Sequence, residues 1–132
     1  MCGIIAINTS NNFRYNIKKS LKEIKHRGPD DEGVFYSSNN DCQLGHVRLS
    51  IIDISNNGHQ PMFSKNNRYV ISYNGEIYNY IELKKYLKSK YDLGFKTKTD
   101  TEVIIEGFSI EKTTFLDKLN GIFSFCIYDT LT

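Results

Sequence analysis

Cysteine stands at position two, directly behind the initiator methionine, in the run Met1-Cys2-Gly3-Ile4-Ile5-Ala6-Ile7. Removal of Met1 would place a thiol and a free α-amine on one residue, a nucleophile that carries its own base. Unperturbed α-amines titrate at about 7.7–8.0 and thiols at about 8.5, so both groups are usable near neutrality. Terminal amines can activate such nucleophiles. On Cys2 alone, a small residue opening a strand is the better account, and it is the rest of the chain that overturns it.

The elements that must hold this residue can be read from pattern. Gly3–Asn8 is a continuous apolar run closed by polar residues, which predicts a buried strand. Ile17, Leu21 and Ile24 recur at helical spacing among lysines and predict an amphipathic helix over Tyr15–Lys25, stopped by Gly28-Pro29-Asp30. Short strands are expected at Gly33–Tyr36, Gln43–Val47 and Tyr69–Tyr73, with Asn74-Gly75 as the turn that ends the last. Asn79 with Glu82, and Thr99 with Glu102, predict capping boxes opening two helices, the first over Tyr80–Ser89 with Leu83 and Leu87 on one face. A short helix is expected over Thr114–Leu119. Ile122–Tyr128 is almost unbroken apolar sequence, which predicts a strand covered on both faces in a layered sheet-and-helix fold.

Bulk properties narrow the function. At 132 residues the chain is one domain or part of one, and its net charge of +2 gives no electrostatic footprint for nucleic acid. No segment is long enough to span a membrane and no lipid-attachment signal is present, so no membrane partner is expected. The three cysteines form an odd set and are expected to be reduced thiols in a cytoplasm. Their spacing, with that of the three histidines, predicts no metal site. The Asn-rich stretches between apolar runs read as solvated turns.

The motifs are more specific than the composition. In order they are Met1-Cys2-Gly3-Ile4, His26-Arg27-Gly28-Pro29-Asp30 with Gly33, and Gly45-His46-Val47-Arg48-Leu49-Ser50-Ile51-Ile52-Asp53. Gln60-Pro61-Met62, Tyr73-Asn74-Gly75-Glu76-Ile77-Tyr78-Asn79, Thr99-Asp100-Thr101-Glu102-Val103-Ile104-Ile105 and Leu119-Asn120-Gly121-Ile122-Phe123-Ser124-Phe125 follow. Together they resemble the class II glutamine amidotransferases, the N-terminal nucleophile hydrolases, and within them the asparagine synthetase (glutamine-hydrolysing) branch. The resemblance implies an α+β fold, a four-layer αββα sandwich of the N-terminal nucleophile hydrolase type, incomplete at the C-terminus. On that reading residues 1–132 are the N-terminal part of a glutaminase domain and the synthetase domain is absent.

The same resemblance implies the chemistry. Cys2 would attack the side-chain amide of L-glutamine, and its α-amine would relay the proton to departing ammonia before water cleaves the thioester. The Asn74 amide and Gly75 N–H would form the oxyanion hole. Arg48 would bind the substrate carboxylate and Asp100 its ammonium, with Leu49, Ser50, Ile51, Ile52 and Glu76 as pocket backbone and wall. Arg27 and Asp30 would fix a loop beside the nucleophile. No cofactor is implied for glutamine hydrolysis; ATP and Mg belong to the missing synthetase domain, the expected partner in the same chain. A homodimer is left open. Other readings stay open on sequence alone: a different carboxylate acceptor, an inactive fragment, a Cys-His mechanism through His26, His46 or His59, an ordinary turn at Asn74-Gly75, a surface salt bridge for Arg48, and a plain helix-start charge for Asp100.

Overall fold

A computed structural model describes residues 2–8, 15–39, 41–50 and 56–131. Among these residues the fold is α+β, with two three-stranded antiparallel sheets. The first holds β1 (Gly3–Asn8), β2 (Asp31–Tyr36) and β3 (Cys42–Arg48) in the order β1-β3-β2. The second holds β4 (Met62–Phe63), β5 (Tyr69–Ile77) and β6 (Gly121–Asp129) in the order β4-β5-β6. The helices are α1 (Ile17–Glu23), α2 (Tyr80–Tyr91), α3 (Asp100–Glu111) and α4 (Thr113–Leu116). None of the helices among the described residues is long and apolar enough to cross a membrane.

The helix pattern in 15–25 resolves into α1 followed by a one-turn 3-10 helix at Lys25–Arg27. Asn16 caps its start, the carboxamide accepting from Lys19 N at 3.3 Å. Ile17 and Leu21 are fully buried with Val47, against the partly buried Ile5, Ile7 and Val34 of the first sheet and Ile24 at the end of α1. The larger cluster lies between the second sheet and the remaining helices, where Tyr69, Ile71, Tyr73 and Ile77 of β5 meet Leu83, Leu87, Val103, Ile104, Ile105 and Phe115. Alternation along β5 turns the other set, Val70 and Ser72, toward the first sheet. There Val70 packs with Cys42 and Leu44, and the Ser72 hydroxyl donates to Gly45 O at 2.9 Å.

Four expectations need correction. Strand β5 does not end at Asn74-Gly75; it runs to Ile77 with every residue in register against β6. The reason is packing, because a Cβ at Gly75 would meet Ile122 O at 2.5 Å and Phe123 Cα at 2.6 Å. The glycine permits close approach of two strands and makes no turn. The Asn79–Glu82 box does not form either, since Asn79 donates to Lys118 O at 2.9 Å and accepts from Asn120 N at 3.0 Å, tying α2 to the approach of β6. Only half of the Thr99–Glu102 box forms. Thr99 Oγ1 accepts from Glu102 N at 3.3 Å, while the Glu102 carboxylate takes Lys96 N and Thr97 N at 2.8 and 2.7 Å. Finally, β6 is not covered on both faces among the described residues: it is an edge strand, with Ile122 72% and Phe123 38% exposed.

One buried group gives the fold a pH dependence. His46 on β3 is fully buried, and its Nε2 lies 3.1 Å from Tyr73 O, which can only accept. Nε2 therefore carries the proton, and Nδ1 has no partner among the described residues. Burial pushes the imidazole down to about 4, the bond to Tyr73 and Asp31 working upward, Arg48 and His59 downward. The unfolded histidine takes up a proton below about 6.5 while the folded one stays neutral, so stability is full above that pH and falls toward pH 4, by up to about 3 kcal/mol. Burial raises the Glu106 carboxyl, which has the opposite slope, so a variant comparison isolates the histidine. Denaturant melts at pH 7 and pH 5 should differ less in His46→Gln, whose amide can still donate to Tyr73 O. An unchanged difference would remove His46 from the account.

Candidate active site

Three chain segments converge where β1 begins and β3 ends. Cys2 immediately precedes β1, and Leu49 immediately follows β3. The half-buried Cys2 sulfur accepts from Leu49 N at 3.3 Å, and its thiol faces Leu49 O at 3.8 Å. Arg27, at the end of the 3-10 turn, donates Nε–H to Cys2 O at 3.0 Å. Asp30 accepts from Ser50 N at 2.7 Å. Arg27 thus ties its segment to the Cys2 carbonyl, and Asp30 ties the same segment to the backbone just after Leu49.

Arg48, the last residue of β3, is buried rather than a surface ion-pair member. Its guanidinium runs over Gly58, where a Cβ would fall 2.1 Å from Nη2. A side chain at 58 would displace the guanidinium, because the arginine tip is the movable partner. Asp100 occupies the first turn of α3, 4% exposed. Its Oδ2 accepts from Tyr73 Oη at 2.5 Å and Ile77 N at 3.1 Å, and its Oδ1 from Thr101 N at 3.0 Å. No cation pairs with Asp100 among the described residues, although a buried lone charge is costly.

The second sheet supplies the facing wall. β4 is only two residues long, so beyond Ile71 the outer edge of β5 has no strand partner among the described residues. Tyr73 N donates instead to the Gln60 side-chain oxygen at 2.7 Å, and Gln60 Nε2 donates to Thr101 Oγ1 at 3.3 Å. In an antiparallel pair, alternate residues send both backbone polar groups to the same side. Tyr73, Gly75 and Ile77 share that side. The outer two N–H groups go to Gln60 and Asp100, leaving the Gly75 N–H between them on an edge that no other strand covers among the described residues. The Asn74 carboxamide likewise has no protein partner among the described residues.

These groups enclose one cavity of about 360 Å³. Cys2, Arg48, Leu49, Asn74, Gly75, Glu76 and Asp100, all named from sequence, line it. Ser50 does not, its N–H being turned to Asp30. Ile51 and Ile52 lie outside the described residues. Sequence reasoning gave no role to Gln60, Tyr73 or Thr101, which also line the cavity. A glutamine before a proline and a tyrosine in phase with Tyr69 and Ile71 on β5 were the available signals.

The cavity therefore pairs a half-buried thiol with a buried cation on one side and a buried carboxylate on the other. The Glutamine amidotransferase domain family matches the chain over residues 1–132. The chain belongs to that family. It is 42% identical over 147 aligned residues to a Methanocaldococcus jannaschii protein with the provisional name asparagine synthetase (glutamine-hydrolyzing) 2, covering 98% of this chain and 28% of the relative. Asparagine synthetase (glutamine-hydrolyzing) 1 of Lotus japonicus is 38% identical, with coverage of 98% and 22%. The chain thus spans about a quarter of the curated relatives it matches. In fold it resembles the glutamine phosphoribosylpyrophosphate amidotransferase of B. subtilis, solved with ADP and GMP, with a TM-score of 0.72 at 21% identity. That likeness covers 98% of this chain and 35% of the other.

Proposed function

We propose that this chain hydrolyses the side-chain amide of L-glutamine to glutamate and ammonia, as the glutaminase part of an asparagine-synthetase-type amidotransferase. The observation that carries the reading is the convergence of Cys2, Arg48, Asn74, Gly75 and Asp100 on one cavity. The Cys2 thiol passes its proton to the α-amine of the same residue and its sulfur attacks the amide carbon. The carbonyl oxygen takes the charge and is met by the Asn74 amide and the Gly75 N–H. Collapse expels ammonia with the proton from the α-ammonium, leaving a thioester that water cleaves to glutamate and free thiol. Arg48 offers a planar fork to the α-carboxylate, and Asp100 holds the α-ammonium.

In this reading the ammonia amidates aspartate in a synthetase domain, which would hold the ATP and Mg that the reaction needs. The packing of α1 on the first sheet and of α2, α3 and α4 on the second, with Cys42, Leu44 and Val70 between them, supports a four-layer αββα sandwich of the N-terminal nucleophile hydrolase type. A working thiol beside two further free cysteines suits a reducing cytoplasm.

The mechanism requires a free Cys2 amine, so removal of Met1 is its test. Intact mass should show a chain beginning at Cys2, and that form should release glutamate from glutamine. A homogeneous Met1-retaining preparation should be inert. Equal activity in the two forms would exclude the terminal amine as the base.

A further inference from the structure

The Asp100 carboxylate has about four acceptor sites, and the protein fills three of them with Tyr73 Oη, Ile77 N and Thr101 N. One acceptor position remains, in a buried group without a cationic partner among the described residues. Of the three donors, two are backbone amides set by β5 and by α3 itself. The third is a side chain, and it makes the shortest of the three contacts. The phenol that supplies it is itself held at both backbone ends, because Tyr73 N donates to Gln60 and Tyr73 O accepts from His46. Tyr73 is 3% exposed and lines the cavity together with Asp100 and Cys2.

We propose that Tyr73 is the positioning residue of the ammonium clamp. Its hydroxyl fixes the Asp100 carboxylate so that the one open acceptor faces the cavity, and this sets the preference for an amino acid over a simple amide. The inference rests on the glutaminase reading of the cavity. A carboxylate is symmetric about its own axis, so its torsion is held only by the donors around it. Without the phenol, Asp100 keeps one backbone amide on each oxygen, Thr101 N on Oδ1 and Ile77 N on Oδ2, and loses the shortest contact that holds Oδ2. Burial pushes the phenol well above its usual range, so it stays a donor throughout the working pH range. The Gln60 link from Tyr73 N to Thr101 Oγ1 ties the same strand to the same helix start, so the spacing of phenol and carboxylate is set twice.

The test compares L-glutamine with glutaramate, which has the same amide and carboxylate but no α-amino group. In the chain beginning at Cys2, kcat/KM should favour glutamine by about ten- to a hundredfold, the range for a hydrogen bond to a charged group. Tyr73→Phe removes one oxygen and keeps the packed ring, and should cut that preference by about tenfold through the KM for glutamine. Asp100→Asn should abolish the preference, and adding Tyr73→Phe to it should change the ratio no further. A merely structural role would slow both substrates alike and leave the ratio where it was. An unmoved ratio in Tyr73→Phe, or an equal further loss in the double variant, overturns the inference while the glutaminase reading stands. A Cys2-starting chain that releases no glutamate from glutamine overturns the glutaminase reading and the inference with it.

Discussion

Cys2→Ala should remove glutamine hydrolysis, with a loss on the order of 10⁴-fold or more, while Cys42→Ala and Cys126→Ala keep it. The three thiols differ in surroundings rather than in kind. Burial pushes the Cys42 thiol up to about 11, helped by Cys126 and Asp41, and burial also raises Cys126. Thiolate, the reactive form, is therefore scarce at both positions near neutrality. Cys42 packs with Leu44 and Val70, away from the cavity, and its loss should lower the melting temperature without touching turnover. Cys2 is half-buried at the cavity wall, and its sulfur accepts the Leu49 N–H. Glutamate release from each variant, with a glutamine-like diazo-ketone as a covalent probe, separates them. Labelling confined to the Cys2 peptide is expected. Comparable labelling at Cys42 would mean that the cavity does not select the nucleophile.

The strands and helices were legible wherever one periodicity ruled. β1 spans the apolar run Gly3–Asn8, although it is not the buried strand expected, since only Gly3 is buried and Ala6 and Asn8 are exposed, and Leu83 and Leu87 share the buried face of α2 as their spacing requires. Misreadings came where a residue type has two uses. Asn74-Gly75 carries turn chemistry, yet β6 approaches so closely that the glycine is needed inside a paired strand. Asn79 is a good cap in isolation, but Lys118 and Asn120 offer its side chain better partners from forty residues away in sequence. The apolar run Ile122–Tyr128 marks a strand but says nothing of what covers it, and β6 pairs only with β5 among the described residues. In the candidate site, the residues named from sequence are those whose groups would touch substrate. Gln60, Tyr73 and Thr101 were missed because their contribution is to one another and to Asp100, through contacts that exist only once β4 has stopped and α3 has docked.

Asn74→Ala is the variant that separates chemistry from binding. Turnover should fall about a hundred- to a thousandfold, as for loss of one oxyanion donor, with little change in the KM for glutamine. The substitution is mild for the fold, since Asn74 is half-buried in the middle of β5, opposite Ser124, and its carboxamide makes no protein hydrogen bond among the described residues. Alanine leaves no buried donor stranded and keeps the backbone pairing. The Gly75 N–H, held between two N–H groups already fixed to Gln60 and Asp100, would remain as the second donor, so residual activity should persist where Cys2→Ala has none. A ground-state amide oxygen is a weaker acceptor than the developing oxyanion, and the lost interaction therefore appears in kcat rather than KM. Steady-state rates over a range of glutamine concentrations read the two constants separately. A rise in KM at unchanged kcat would make Asn74 a substrate-binding residue and leave the oxyanion to Gly75 alone.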